Sequence, residues 1–118
     1  MKNEILDLVL TGRWYDEIER GEKPVEYRAC TPHYSSLICT KYNKKYNTEF
    51  SCYKHCDHAY KCGISVPTDK KVVRLRRGYT KIKMLFEIKN IHIAEGLNEL
   101  GAPFYPVFNI VLGKRIKD

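Results

Sequence analysis

Lys23, Glu26 and Arg28 fall together in "RGEKPVEYR" (residues 20–28), and their types suit acid–base work on a polar ligand. A lysine held near arginines and partly removed from water has its pKa pushed down, the condition for acting as base or nucleophile. A glutamate beside it can orient the lysine, relay a proton, or accept a hydrogen bond from a ligand's amino group. Arg28 offers a planar fork for a carboxylate or phosphate. The plainer alternative is a solvated turn, with Glu26 and Arg28 paired to each other or to neighbouring strands.

A second candidate is "RLRRGYTK" (residues 74–81). Arg74, Arg76, Arg77 and Lys81 can neutralise phosphates, Gly78 permits a tight turn, and Tyr79 offers a face on which a base can stack. The alternative is a basic hairpin with Tyr79 packed in the core. Glu87, in mid-strand, reads as a cross-strand ion-pair partner rather than a catalyst.

The third is the run from Cys39 to Cys62, in which Cys39, Cys52, Cys56 and Cys62 are interspersed with His55 and His58. Zinc takes four thiolate or imidazole ligands and can replace a missing core in a short insertion. Cys52 and Cys56 supply half of such a structural site and Cys62 a third ligand. Cys39, His58 or His55 would be the fourth. The competing reading is ordinary thiols in a loop.

These side chains need elements to hold them. "EILDLVL" (4–10) reads as a first strand, and "RWYDEIER" (13–20) as a short helix with Trp14 and Ile18 on one face. Thr11 stands as its N-cap and Gly21 as the left-handed residue closing it. In "PVEYR" the two-residue period puts Glu26 and Arg28 on one face, Val25 and Tyr27 on the other, and Lys23 in the turn before. Thr31-Pro32 opens a second short helix. Ile82, Met84, Phe86 and Ile88 alternate, and the apolar parity then slips to Ile91 and Ile93. One inserted residue near Lys89-Asn90, a β-bulge, would do that. "PVFNIVLG" (106–113) suits a central strand buried on both faces. The sum is an α+β fold of about five strands with one or two helices.

At 118 residues the chain is read as one domain. No apolar run reaches the ~20 residues of a membrane helix. The N-terminus is too acidic, and too short in its apolar part, for a secretory signal, so a soluble cytoplasmic protein is expected. Five cysteines in that setting favour free thiols or metal over disulfides. The net charge of +7 favours polyanionic partners. Residues 40–71 hold seven lysines against Glu49, Asp57 and Asp69, which is +4 of that total.

The order of "GEK", "EYR", "TPHY", "LRRGYTK", "MLFEIKNIHI" and "ELGAP…VFNIVLGKRI" resembles the ASCH (activating signal cointegrator homology) domain, a small barrel of the PUA-like superfamily, in its compact bacterial and phage form. The resemblance covers nearly the whole chain apart from about residues 40–70, which look like a Cys-rich insertion. It implies a barrel whose groove, lined by the "GEK…EYR" segment, receives RNA, a nucleotide or a modified nucleoside, with Arg28, Arg76, Arg77 and Tyr79 as ligand-binding residues. Some ASCH proteins are amidohydrolases that remove the acyl group from acetylated cytidine. Their pattern is a lysine in the G-x-K turn, a threonine three residues later, and a glutamate after the later long strand. Lys23 matches the lysine and Glu99 best matches the glutamate. Glu26 stands in place of the threonine, a departure from that pattern. A catalytic set under this reading is Lys23, Glu26 and Glu99.

Overall fold

The computed structural model describes residues 4–39, 65–66, 68–102 and 107–117. Period-two burial makes the strands. Leu6, Leu8 and Leu10 point inward from β1 (Ile5–Leu10), and Val73 and Leu75 do so from β3 (Val72–Arg77). The first helix, α1 (Gly12–Glu19), buries Tyr15 and Ile18 and is followed by Gly21 at φ +80°. Thr11 occupies its N-cap but makes no capping hydrogen bond. In β2 (Val25–Ala29), Glu26 and Tyr27 are both buried. The second helix, α2 (Pro32–Ile38), starts as expected, with the Tyr34 N–H donating to the Thr31 hydroxyl at 3.2 Å.

The twelve-residue β4 (Lys83–Ala94) buries Met84 before the slip and Ile91 and Ile93 after it. Its pairing with β5 (Val107–Ile116) shifts register between Phe86 and Ile88 and again between Ile88 and Asn90, where the sequence called for a bulge. The first four residues of β5 are all buried. Asn109, the polar one among them, donates to the carbonyls of Ala94 and Val107.

The strand order is β1-β3-β4-β5-β2, with β1 and β3 parallel and the other pairs antiparallel. The five strands form a curled half-barrel with the two helices, an α+β arrangement. No ladder joins the edge strands β1 and β2 among the described residues. The main core fills the inside of the curl with Leu6, Leu8, Leu75, Ile91, Phe108 and Ile110, against Tyr15 and Ile18 of α1. A smaller cluster of Tyr27, Ala102 and Val107 lies beside it. No helix among the described residues is long and apolar enough to cross a membrane. Most of the segment read as an insertion, with Cys52, Cys56 and Cys62, lies outside the described residues. The chain rejoins the sheet at Ser65, bridged to His92, and Val66, whose N–H donates to Ile91.

Gly96 lets the chain after β4 pass close to the smaller cluster. A Cβ there would lie 2.4 Å from the Ala102 Cβ and 2.7 Å from the Tyr27 ring. Neither neighbour is the loose end of a flexible chain, so Gly96→Ala should cost about 1–3 kcal/mol. Urea unfolding midpoints measure this.

Candidate functional site

The open seam between the two edge strands holds a cavity of about 230 Å³. Val9, Leu10 and Thr11 line it from the end of β1, Trp14 from α1, and Glu26, Tyr27, Arg28 and Ala29 from β2. Lys23 and Gly101 complete the wall. The helix α1 runs from the end of β1 to the turn before β2, so it covers one end of the seam and delivers both Trp14 and Lys23 to it.

Lys23 is only 2% exposed. Its Nζ lies 3.2 Å from Glu26 Oε1 and donates to the Leu100 carbonyl. The same ammonium stands 4.5 Å from the Trp14 ring centroid and 5.2 Å from that of Tyr27, within cation–π range of both. The other carboxylate oxygen, Glu26 Oε2, accepts from Arg28 Nε at 3.0 Å and Arg28 Nη2 at 2.6 Å. Arg28 then reaches across the seam, with Nη2 donating to the Val9 carbonyl at 3.0 Å and Nη1 to the Tyr34 hydroxyl at 2.8 Å. Burial disfavours this guanidinium, but the Glu26 charge and its hydrogen bonds to Tyr34 and Glu26 outweigh that and raise its pKa above the ordinary arginine value.

Donor counting defines what the site can still bind. Arg28 uses four of its five N–H groups on these partners, so it works as a strut and not as a free anion fork. Lys23 has three N–H groups, and Glu26 and Leu100 take two. The Glu26 carboxylate has lone pairs beyond the three it uses. The cavity therefore offers one ammonium donor and one carboxylate acceptor beside an aromatic wall. Its volume is below the ~300–1,000 Å³ of pockets for drug-sized ligands, which suits one ring-sized group.

The remaining expected residues are placed as follows. Glu99 is exposed on a 3-10 turn (Asn98–Leu100) and is not part of the cavity wall. Its neighbour Leu100 contributes instead, through its backbone carbonyl. Arg74 and Arg76 both bind Asp7 of β1, which lies opposite Arg74, and Arg77 binds Asp16 of α1. Burial pushes the Asp7 carboxyl up, but Arg76 and Arg74 prevail and hold it below the usual carboxylate value. The Arg77 hydrogen bond holds Asp16 low in the same way. Tyr79 is 98% exposed at the tip of the β3–β4 turn, not packed in the core. Cys39 is buried and disulfide-bonded, whereas composition favoured free thiols or metal. That bond removes Cys39 as a thiolate ligand for zinc, and the rest of the expected zinc set, Cys52, Cys56 and Cys62 with His55 and His58, lies outside the described residues.

Trp14, Tyr27 and the Leu100 carbonyl are site components that the strand period and spacing did not indicate. Strand alternation turned Tyr27 away from Glu26. Here its ring lines the cavity, with Lys23 Nζ 5.2 Å from the ring centroid. Compared with known proteins, the chain matches no family model, no curated protein and no solved structure.

Three nearly dry charges are stable only as a set, because removing one partner leaves the others uncompensated. Glu26→Ala should cost about 3–5 kcal/mol by urea unfolding. Replacing Lys23 by Met in the same chain should recover much of that loss, since the stranded ammonium goes with it. An equal loss in the single and double variants would contradict the coupling.

Proposed function

We propose that this chain is an ASCH-type binding module that takes the base of a nucleoside, nucleotide or RNA into the seam cavity, with cytosine the best-fitting base. The observation that carries this reading is the buried Lys23–Glu26 pair, each member with hydrogen-bonding capacity left over, in a recess one ring wide. Cytosine presents an exocyclic amino donor next to ring acceptors, the complement of a carboxylate acceptor next to an ammonium donor. Trp14 and Tyr27 supply aromatic surface for the ring. The position of Lys23 in the turn after the first helix fits the resemblance drawn from "GEK…EYR", while Glu26 stands where that pattern has a threonine.

A second reading has the same pair acting on an acylated cytosine, hydrolysing its exocyclic amide to acetate and cytidine. What favours it is the direct contact of a buried lysine with a carboxylate inside a cavity, a pairing able to relay a proton from water to the leaving amine. The exposed position of Glu99 gives it no second carboxylate, so binding is the better-supported function.

Titration calorimetry with cytidine and uridine tests the first reading. Cytidine should bind at least about tenfold tighter, because uracil presents a carbonyl to Glu26 where cytosine presents a donor. Trp14→Ala should weaken cytidine binding in a chain that remains folded. Equal binding of the two nucleosides, or none, would reject the base-selective cavity. Incubation with acetylcytidine separates the readings. Release of acetate that Lys23→Met abolishes would establish the second, and cytidine binding without release would leave only the first.

A further inference from the structure

We propose that the seam cavity is one station on a longer track, and that a basic groove at the ends of β4 and β5 holds the sugar–phosphate backbone of a single-stranded polynucleotide. This rests on the base-binding reading and names the class of ligand that carries the base.

Register brings the parts to one end of the half-barrel. Leu10 of β1 lies opposite Arg77 of β3, Arg76 opposite Lys83 of β4, and Leu85 opposite Ile116 of β5. The cavity rim at Leu10 and Thr11, the β3–β4 turn and the C-terminal end of β5 therefore share that end. The turn is tied to the rim directly, since the Gly78 N–H donates to the Leu10 carbonyl at 2.7 Å. From Gly78, at φ +59°, the chain projects Tyr79, which has almost no protein contact, and then the exposed Lys81 and Ile82.

Beyond the turn lie two overlapping hollows of about 480 and 420 Å³, each larger than the seam cavity. They share Arg115 and Lys117, with Lys83 added on one side and Lys114 with Glu87 on the other. The charges here differ from those of the inner arginines. Arg74, Arg76 and Arg77 are matched by Asp7 and Asp16, whereas Lys81, Lys114 and Lys117 have no acidic partner among the described residues. Arg115 has only a long contact of 3.8 Å to Glu19. Lys114 and Lys117, with no acidic partner among the described residues, suit a chain of phosphates, which they bind by releasing counterions.

An exposed tyrosine between the two sites distinguishes a polynucleotide from an acidic peptide. Bases stack on such a ring whatever their sequence, while a run of carboxylates has no use for it. A duplex is excluded by the same features, because its bases are not free to enter the cavity or stack on Tyr79.

The test measures fluorescence anisotropy of labelled oligocytidylates about 10 nucleotides long, in ribo and deoxy forms, across a salt series, with cytidine calorimetry in parallel. The oligonucleotide should bind far more tightly than cytidine at low salt, with affinity falling steeply as salt rises. Each backbone phosphate neutralised contributes about 0.7 to the log–log slope, so Arg115→Gln with Lys117→Gln should lower it by about 1.4. The same double variant should leave cytidine affinity unchanged, and Tyr79→Ala should weaken the oligonucleotide about tenfold without touching cytidine. Both sugar forms binding equally would still support the groove. Cytidine binding with no tighter oligonucleotide would overturn the groove and leave the cavity reading intact. Salt-dependent oligonucleotide binding lost in the double variant, with no cytidine binding, would support the groove and reject the cavity. Phosphatidylserine vesicles bound through Arg115 and Lys117, with no oligonucleotide bound, would overturn the proposal.

Discussion

The Glu26 carboxylate joins two cations: Lys23, brought in by the turn after α1, and Arg28, two residues further along β2. Arg28 then fastens β2 to the Val9 carbonyl of β1, two strands that no ladder joins among the described residues. The sheet is left open at this seam, and the linkage across it is made by side chains. A closed ladder would fill the gap with backbone. A side-chain strut instead spans it and leaves a recess behind, so the interaction that holds the edges together also creates the site. Buried ion pairs add little stability relative to apolar packing. Under the proposed base-binding function, their presence here, in a chain with a good apolar core, is accounted for by the donor and acceptor they offer in the recess.

The charges divide into two populations with different work. The arginines on β3 face the carboxylates of Asp7 and Asp16 and tie β1, β3 and α1 together. Lys81 near the β3–β4 turn, and Lys114 and Lys117 at the end of β5, have no such partners among the described residues. Net charge alone does not separate these populations, and the parallel register of β1 on β3 does. Asp7 lies opposite Arg74, next to Arg76 on the same face of the sheet. The arginine motif that the composition pointed to for polyanions is thus occupied by these two carboxylates.

Features set by local chain chemistry were legible in the sequence. The apolar parity slip after Ile88 marked the irregular β4–β5 pairing, Gly21 closed α1, and Thr31-Pro32 opened α2, because each follows from a few adjacent residues. The proximity of Lys23, Glu26 and Arg28 was also readable, being local. What closes around them was not. Trp14 and the Leu100 carbonyl arrive from nine positions before and 77 positions after Lys23, through a curl that no spacing encodes. Glu99 was chosen for its place in a motif, but its side chain turns to solvent while the next residue's carbonyl meets the lysine. Tyr79 could have gone inward or outward by periodicity, and the positive φ at Gly78 sends it out.

Base binding in the seam requires Lys23 to be a dry, hydrogen-bonded ammonium that a ligand can still reach. Nitrogen-15 NMR of the lysine side chains tests this directly, since an ammonium shielded from water keeps its protons long enough to give a signal that exposed lysines lose. One protected resonance, absent in Lys23→Met and shifted on adding cytidine, is the predicted result. A Lys23 resonance that exchanges as fast as the surface lysines, or one that no nucleoside moves, would contradict it.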